Sequence, residues 1–356
     1  MATTFELTIG HCSNGDLRRA EATLREALHI IKTLENELSE FLEHSPVSRL
    51  NRSRPHTKIQ VPESVIELLE LSLRLRAQTG GAFDCLAKST TPLYMAQEDL
   101  VSWSASNRTV WKNTEGAHLG FGAIGKGYAL DKIRPLLERE GFYHYILSAG
   151  GSSQIISGFR SDDAAWSWGW SWAQDEEQNP LGIRFSHPSG SAIAIGVSGL
   201  HEKGFHLIDP RTKQKAETAA STLVAKRSAA EADALSTALF VLGWEQGLPK
   251  MARSDYPDQP TAVAAIDRQG TPRWNGPFQK LWGALATICL IFIAPLAQAQ
   301  QQEEALDLGG LGDVGLEIFN PYLFERNSAW VLLPLLTLGM LLLHLRRMNR
   351  RKRNDR

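Results

Sequence analysis

Cysteine is scarce in this chain of 356 residues, which contains only Cys12, Cys85 and Cys289. Their number is odd and no two of them form a CxxC pair. A framework of disulfides and a zinc site built from thiolates are therefore both disfavoured. The scarcity is compatible with a reducing compartment, and candidate functional groups have to be sought among other residue types.

Net charge is also nearly absent, at −1 for the whole chain. The charge is unevenly spread, because residues 346–356 carry seven basic groups and one acidic group and leave a mildly acidic body before them. Such a body gives no support to broad electrostatic binding of nucleic acids, so we expect no nucleic-acid partner. The basic tail needs a separate explanation.

A signal peptide is not visible in residues 1–16, which lack both a positively charged start and an apolar run. Two apolar runs lie instead at 281–297 and 329–345, and each has about 17 residues without a charge, the lower limit for a membrane-spanning helix. The segment 298–328 between them is acidic, and the tail 346–356 is basic. The positive-inside rule places that tail in the cytoplasm. Two spans then place the N-terminal body at the cytoplasmic face of the inner membrane.

The first apolar run has competing interpretations. It ends in the A-x-A pattern Ala297-Gln298-Ala299, which resembles the end of a signal peptide and would mean one span plus a cleavage. Both runs are also short enough to be buried core helices. We predict one N-terminal domain over 1–276, a linker over 277–280 and two transmembrane helices, with these alternatives left open.

Apolar spacing predicts three clear helices. The first covers 17–44, with Asn14 or Asp16 as its cap, and carries apolar residues at three- and four-residue intervals from Leu17 to Phe41. The second covers 62–81, with a proline near its start and glycines at its end. The third covers 228–243, opens with an S-x-x-E capping-box pattern and stops at its final glycine. Short strands are interspersed without regular alternation, which favours an α+β fold of mixed or antiparallel sheets over a doubly wound fold.

Tryptophan alternates through one predicted strand, at Trp166, Trp168, Trp170 and Trp172. Successive side chains of a strand point to opposite faces, so all four indoles are predicted to lie on one face. Packing of that face on the core is the ordinary interpretation. Stacking on a flat aromatic ligand is the alternative.

A glycine-rich stretch, 119–131, leads directly into a predicted helix and carries the cation Lys126. Glycines let backbone N–H groups approach an anion, and the positive end of a helix dipole favours phosphate there. The pattern is neither GxGxxG nor GxxxxGK[ST], so taken alone it also fits a glycine turn with a surface lysine. It becomes informative only together with other segments.

Two oxygen-bearing side chains, Asp233 and Thr237, lie four residues apart in the third predicted helix. That spacing places them on one face, where a carboxylate and a hydroxyl offer two hard oxygen ligands to Mg²⁺. An exposed acid and a threonine satisfied within the helix are the alternative. Two more segments carry candidate groups: 79–84 sets an aromatic ring beside a carboxylate, and 206–212 contains His206, a candidate proton acceptor or a structural histidine.

The order of these segments resembles that of the ApbE-type flavin transferases. The similar blocks are, in chain order, MATTFELTI, SRLN, TGGAFD, GFGAIGKGYALD, ILSAGG, HLIDPRT, ADALSTALFVLG and TAVAAIDRQG, over about the first 275 residues. The resemblance implies a Mg²⁺-dependent enzyme that moves FMN from FAD onto a threonine or serine hydroxyl of a target flavoprotein and releases AMP. The expected acceptor is a membrane redox protein.

The resemblance also implies individual site residues. Mg²⁺ would be held by the backbone carbonyl of Ala123 and by the side chains of Asp233 and Thr237. Contacts with FAD would fall on Met1, Phe41, Ala82, Phe83, Asp84, Gly120, Lys126 and Leu207. The acceptor proton would pass to His201 or His206, and the resemblance does not choose between them.

The chain departs from the family pattern at four positions. Gly120 stands where an aspartate is frequent, Val197 where a threonine is usual, Ser152 where an acid or amide is usual, and Lys213 where a turn glycine is usual. The first two departures motivate an alternative, an FAD-binding or electron-relay protein that has lost transfer. An FAD pyrophosphatase, which would release FMN and AMP without an acceptor, is a further alternative.

Overall fold

The structure, a computed structural model, describes a large part of the chain. The described residues are 3–10, 12, 15–90, 100–161, 164–174, 180–186, 192–199, 207–251, 261–282 and 314–318. The chain divides into two compact units, Met1–Phe319 and Asn320–Arg356, and every described residue belongs to the first.

The described residues form helices and strands in alternating groups. The helices are α1 (Leu17–Leu38), α2 (Pro46–Arg52), α3 (Glu63–Thr79), α4 (Gly125–Arg139), α5 (Ala229–Met251) and α6 (Gly276–Trp282). The strands are β1 (Phe5–Ile9), β2 (Ile59–Gln60), β3 (Val101–Ser104), β4 (Thr109–Lys112), β5 (Tyr145–Ala149), β6 (Ser153–Ser157), β7 (Phe159–Ser161), β8 (Ala164–Ala165), β9 (Ser167–Gln174), β10 (Pro180–Ser186), β11 (Ile193–Gly199), β12 (Ser221–Lys226), β13 (Ala262–Ile266), β14 (Pro272–Trp274) and β15 (Val314–Ile318).

The main sheet, as far as the described residues show it, has eight strands in the order β14-β13-β12-β11-β6-β5-β1-β15. Neighbouring strands are antiparallel, except that β1 and β15 run parallel. A separate sheet has the order β2-β4-β3, and the pairs β9–β10 and β7–β8 form two small sheets. This mixed, mainly antiparallel arrangement with packed helices confirms the predicted α+β fold class.

The side chains of successive residues in the strands of the main sheet belong to two different hydrophobic clusters, one on each face of the sheet. Ile155 faces a large cluster that includes side chains from α1, α3, α4 and α5, whereas the next residue, Ile156, faces a second cluster. Val224 and Leu223 of β12 divide in the same way. Successive side chains of a strand point to opposite faces, so the sheet is covered on both sides.

The alternating tryptophans cover the second face of the sheet. Trp166, Trp168 and Trp170 are buried in one cluster with Phe278 and Trp282 of α6. This confirms the core-packing interpretation for these three indoles. The side chain of the fourth tryptophan in the series, Trp172, lies outside the described residues.

Helix α1 ends earlier than the apolar pattern predicts. Its C-cap is Ser39, whose Oγ accepts hydrogen bonds from the amides of Phe41 and Leu42, both at 3.1 Å. The predicted helix over 17–44 was wrong beyond Leu38, because a hydroxyl that satisfies the following amides competes with continued helical hydrogen bonding. Phe41 lies beyond the helix and is 76% exposed.

The ends of the other predicted helices follow local signals more closely. Pro62 is the N-cap of α3, and Gly80 is its C-cap with a φ of 63°. At the start of α5, Ser228 Oγ accepts a hydrogen bond from the amide of Glu231 at 3.2 Å, which is the serine half of the predicted capping box, while the Glu231 carboxylate accepts from Arg74 at 3.0 Å. Gly243 was predicted to end this helix, and its φ of 73° and ψ of 176° are indeed not helical, so α5 consists of two helical stretches that meet in a kink at Gly243.

The C-terminal predictions fall largely outside the described residues. The predicted linker 277–280 lies within α6, which also includes the first two residues of the apolar run 281–297. β15 lies within the predicted acidic segment 298–328. The remainder, 283–297, and all of 329–356 lie outside the described residues. Within the ranges that the structure describes, no helix is both long and apolar enough to cross a membrane.

Candidate active site

One pocket is lined by residues from several of the segments that the sequence analysis identified as candidates for binding or catalysis. Its volume is about 440 Å³, within the range of about 300–1,000 Å³ that is typical of ligand sites. Its wall combines the segment after α1, the turn after α3, the start of α4, the end of β11 and one side of α5. Segments that are distant in sequence therefore meet at one place.

Every described residue of the predicted site lines this pocket. These residues are Phe41, Ala82, Phe83, Asp84, Gly120, Ala123, Lys126, Leu207, Asp233 and Thr237. Met1, His201 and His206 lie outside the described residues, so the structure places neither candidate base. Folding brings the predicted ligands together, and their individual roles stay predictions.

Asp233 is buried at the pocket wall, with 2% of the residue exposed. Lys126 Nζ lies 3.3 Å from each of its carboxylate oxygens, and the amide of Gly127 donates to Oδ2 at 3.2 Å. A buried carboxylate is costly unless it is paired, and these contacts compensate its charge. The wall thus presents one negative and one positive group side by side.

Thr237 lies one helical turn after Asp233 on α5. Its Oγ1 donates to the Asp233 carbonyl oxygen at 3.3 Å and lies 3.1 Å from Ser198 Oγ of β11. Ser198 Oγ also lies 2.9 Å from Ser236 Oγ. A hydroxyl that donates its hydrogen keeps its oxygen lone pairs, so Thr237 can still act as a ligand toward the pocket.

The donor set of the predicted metal site fits Mg²⁺. Asp233, Thr237 and the carbonyl of Ala123 are hard oxygen donors, the type that Mg²⁺ prefers, and all three residues line the same pocket. Asp233 already balances a positive charge there, that of Lys126. Within the described part of the chain, no group of three or more His, Cys, Asp and Glu side chains is placed to hold a metal ion. The set therefore depends on one carboxylate together with hydroxyl and backbone oxygens.

Two glycines allow α5 to lie close to its neighbours. A Cβ on Gly127 would lie 2.0 Å from the Ala229 carbonyl oxygen, and a Cβ on Gly196 would lie 2.2 Å from the Ala232 carbonyl oxygen. Neither position has room for a side chain. Gly127 therefore brings the start of α4 against α5, and Gly196 brings β11 against α5 beside Asp233.

The start of α4 borders the pocket, because Gly122, Ala123 and Lys126 all line it. A Cβ on Gly122 would meet nothing within 4 Å, so this glycine leaves the backbone bare toward open space. The positive end of a helix dipole favours negative charge, and the cation of Lys126 adds to that effect. The environment suits a phosphate group. The two glycines of this stretch therefore act differently. Gly122 leaves the backbone accessible from the pocket, and Gly127 allows the start of α4 to pack closely against α5.

The turn after α3 is shaped by two glycines in the left-handed region, Gly80 with a φ of 63° and Gly81 with a φ of 81°. Phe83 is buried after this turn and contributes to the pocket wall. Asp84 accepts a hydrogen bond from Arg76 Nε at 3.0 Å. The ion pair holds this carboxylate in a fixed position at the edge of the pocket.

Asn51 of the SRLN block forms hydrogen bonds with Leu119, the first residue of the glycine-rich stretch. Its Nδ2 donates to the Leu119 carbonyl oxygen and its Oδ1 accepts from the Leu119 amide, both at 2.8 Å. The amide of Gly120 donates to the Cys85 carbonyl oxygen at 2.9 Å. These hydrogen bonds connect the SRLN block to Leu119, which adjoins the glycine-rich block, and connect Gly120 of that block to Cys85, which adjoins the TGGAFD block.

The segment after β11 contains a fixed turn. Arg211 donates to both carboxylate oxygens of Asp209, at 2.9 and 2.8 Å. Burial tends to raise the pKa of Asp209, but the hydrogen bonds from Arg211 outweigh burial and hold the pKa below its ordinary value. Lys213 adopts the left-handed region with a φ of 60°, where glycine is usual, and its Nζ donates to the carbonyl oxygens of Ala87 and Ser89 at 2.9 and 3.1 Å. These bonds stabilise the turn despite the departure at Lys213.

Two charged residues of the pocket, Glu40 and Lys88, were missed by the sequence reasoning. Glu40 Oε2 accepts hydrogen bonds from Lys88 Nζ at 2.7 Å and from His118 Nε2 at 2.9 Å. Burial tends to raise the pKa of Glu40, but these two partners outweigh burial and hold the pKa below its ordinary value. No local pattern marks Glu40, because its partners lie in distant segments of the chain.

Comparison with known proteins gives consistent matches to the described unit. A family model described as the ApbE family matches residues 1–259. The FAD:protein FMN transferase of Escherichia coli (strain K12) is 25% identical over 294 residues, which cover 74% of this chain and 82% of that protein. The protein of the same name from Treponema pallidum (strain Nichols) is 30% identical over 270 residues, with coverage of 63% and 72%. The solved structure of Pseudomonas stutzeri flavinyl transferase ApbE in its apo form aligns with a TM-score of 0.60 and 26% identity, and covers 74% of this chain and 88% of that chain.

Proposed function

The chain belongs to the ApbE family, and from this premise we propose that it transfers FMN from FAD to a threonine or serine hydroxyl of an acceptor flavoprotein, releasing AMP in a Mg²⁺-dependent reaction. One observation carries the proposal: every described residue that the resemblance assigns to FAD or Mg²⁺ lines the same pocket. The relatives named FAD:protein FMN transferase support the same activity.

The pocket residues have complementary tasks in this proposal. Lys126 would neutralise oxygens of the FAD diphosphate, and the start of α4 would add the positive end of its dipole. The exposed ring of Phe41 offers a face on which a planar ring can stack. Asp233, Thr237 and the carbonyl of Ala123 would hold Mg²⁺.

The reaction is a transfer between two oxygen atoms at one phosphorus. Mg²⁺, when bound, spreads the negative charge of the diphosphate and makes AMP a better leaving group. The acceptor hydroxyl oxygen bonds to the phosphorus of the FMN half, and the bond from that phosphorus to the bridging oxygen breaks, so that AMP leaves with that oxygen. The hydroxyl proton passes to a base, for which His201 and His206 are the candidates. Lys126 would hold the diphosphate in place during this exchange.

The test combines the full chain with FAD, Mg²⁺ and a candidate respiratory flavoprotein, and examines the acceptor on a denaturing gel. Flavin fluorescence on the acceptor, together with AMP release that requires the acceptor, is the expected result. AMP release without an acceptor would indicate an FAD pyrophosphatase instead. Bound FAD with neither AMP release nor a labelled acceptor would indicate a binding or electron-relay protein.

We also propose that the chain is anchored in the inner membrane, with 1–276 facing the cytoplasm and a membrane redox protein as acceptor. Support comes from the apolar runs 281–297 and 329–345, the acidic segment 298–328 and the basic tail 346–356. Protease added outside intact cells is expected to leave 1–276 whole. Digestion of that domain would reverse the assigned orientation.

A further inference from the structure

Gly120 and Glu40 share one small space in the pocket wall. A Cβ on Gly120 would lie 3.1 Å from Glu40 Oε1 and 3.3 Å from both Cδ and Oε2. Contacts of 3.0–3.4 Å are tighter than most Cβ contacts in proteins, so even a single added carbon would require the Glu40 carboxylate to shift by a few tenths of an ångström. The Glu40 carboxylate therefore occupies the space that a side chain at position 120 would take.

This carboxylate is enclosed and held in place. The Glu40 side chain is 8% exposed. Lys88 Nζ and His118 Nε2 both bond to its Oε2, and no other hydrogen bond to the carboxylate comes from the described residues. Oε1, the atom that would lie nearest a Cβ of Gly120, keeps its lone pairs available as an acceptor.

An aromatic ring and a cation accompany this acceptor oxygen. Phe41 follows Glu40 directly in the chain and lines the same pocket. Lys88 Nζ lies 5.3 Å from the centroid of the Phe41 ring. An exposed aromatic face beside a fixed carboxylate suits a planar heteroaromatic ring that carries an N–H donor on its edge.

We infer that Glu40 is a binding residue for the dinucleotide, and that its Oε1, which lies beside Gly120, accepts a hydrogen bond from an N–H donor on the edge of one ring. This inference rests on the proposed function, because FAD supplies two such rings. The isoalloxazine carries an imide N–H, and the adenine carries an amino group. Position 120, where an aspartate is frequent in the family, carries no carboxylate in this chain. Glu40 then supplies a carboxylate to the same part of the pocket from another segment of the chain.

The experiment compares FAD dissociation constants of full-length proteins, measured by the change in flavin fluorescence without an acceptor. Glu40→Ala is expected to weaken binding about tenfold to hundredfold, the usual loss for one hydrogen bond to a charged group. Gly120→Asp is expected to weaken binding as well, because it places two carboxylates in one space. The double variant Glu40→Ala/Gly120→Asp is expected to bind FAD more tightly than either single variant, because it returns one carboxylate to that space.

FMN and AMP, titrated separately, distinguish the two rings. Loss of affinity for FMN alone assigns the donor to the isoalloxazine, and loss for AMP alone assigns it to the adenine. Either result supports the inference. It is overturned if Glu40→Ala binds FAD, FMN and AMP as the wild type does, or if the double variant binds FAD no better than the single variants.

A matched control is Glu43→Ala, three positions further on. The Glu43 side chain is 87% exposed and pairs with Arg52, and neither residue is part of the pocket lining, so FAD binding is expected to be unchanged.

Thermal unfolding shows which variants fold. If Glu40→Ala does not fold, Glu40→Gln replaces it with the same expected direction, because a neutral amide oxygen is a weaker acceptor. If the wild type does not bind FAD, the proposed function is contradicted. If the wild type binds FAD and the variants bind it with the same affinity, only this inference is contradicted.

Discussion

Lys126 Nζ lies 3.3 Å from both carboxylate oxygens of Asp233, a residue 107 positions later in the chain. The equal distances centre the ammonium on the carboxylate, and Asp233 also receives the amide of Gly127. Removal of either partner of a buried pair leaves an uncompensated charge. Substitutions here therefore need isosteric changes if loss of function is to be separated from loss of folding.

Asp233→Asn is expected to lower the rate of covalent flavin transfer by about a hundredfold or more, because it removes the only charged oxygen of the predicted Mg²⁺ donor set. The gel assay at saturating FAD measures this rate. Glu245→Gln is the matched control on α5, since that side chain is 83% exposed, and its activity is expected to equal that of the wild type. Full activity in Asp233→Asn would refute the metal assignment.

Thr237→Val removes a hydroxyl while it preserves the shape of the side chain. The Mg²⁺ concentration for half-maximal transfer is expected to rise about tenfold to hundredfold, because a ligand oxygen is lost. Thr237→Ser keeps that oxygen and is expected to stay near the wild-type value. An unchanged Mg²⁺ titration in Thr237→Val would mean that the hydroxyl is only a structural partner of Ser198.

Gly196→Ala is expected to lower the free energy of unfolding by about 1–3 kcal/mol, the usual range for overpacking. Its Cβ would lie 2.2 Å from the Ala232 carbonyl oxygen and 2.5 Å from the Asp233 amide nitrogen, and backbone atoms cannot rotate out of the way. Urea unfolding monitored by circular dichroism measures the change. Gly122→Ala, which faces open space, is expected to unfold at nearly the wild-type urea concentration. Equal stability of the two variants would contradict the close approach of β11 to α5.

Glu40 gives a prediction for the pH dependence of stability. Burial tends to raise its pKa, but hydrogen bonds from His118 and Lys88 hold the folded-state pKa below 4.5. Its stabilising contribution is therefore fully present above that value and is lost as pH falls through the folded-state pKa. The contribution is expected to stay below about 1 kcal/mol, because Lys88 is largely exposed and its charge is screened by solvent.

The measurement compares the free energies of unfolding of the wild type and Glu40→Gln, by urea titration at about pH 6 and about pH 3. The difference between the two proteins is expected to be smaller at the lower pH. A difference that stays constant, or that grows in acid, would contradict the direction of this pKa shift.

Helix ends were predictable where the signal lies within one turn of the end. Gly80 ends α3 in the left-handed region, and Ser228 caps α5, because both act on neighbouring backbone groups. The end of α1 was not predictable from apolar spacing, which continues to Phe41. Ser39 instead captures two following amides and turns the chain.

Chemically competent groups could be recognised from residue types and short spacings. Lys126 and Asp233 are examples, because a charge belongs to the residue itself and a helical face involves neighbours only about four positions away. Two contacts are visible only in the folded chain. Glu40 lies beside Gly120, and the missing side chain of Gly196 allows α5 to pack closely against β11. Such contacts join segments that are far apart in sequence, and they depend on how the whole close-packed core arranges its elements.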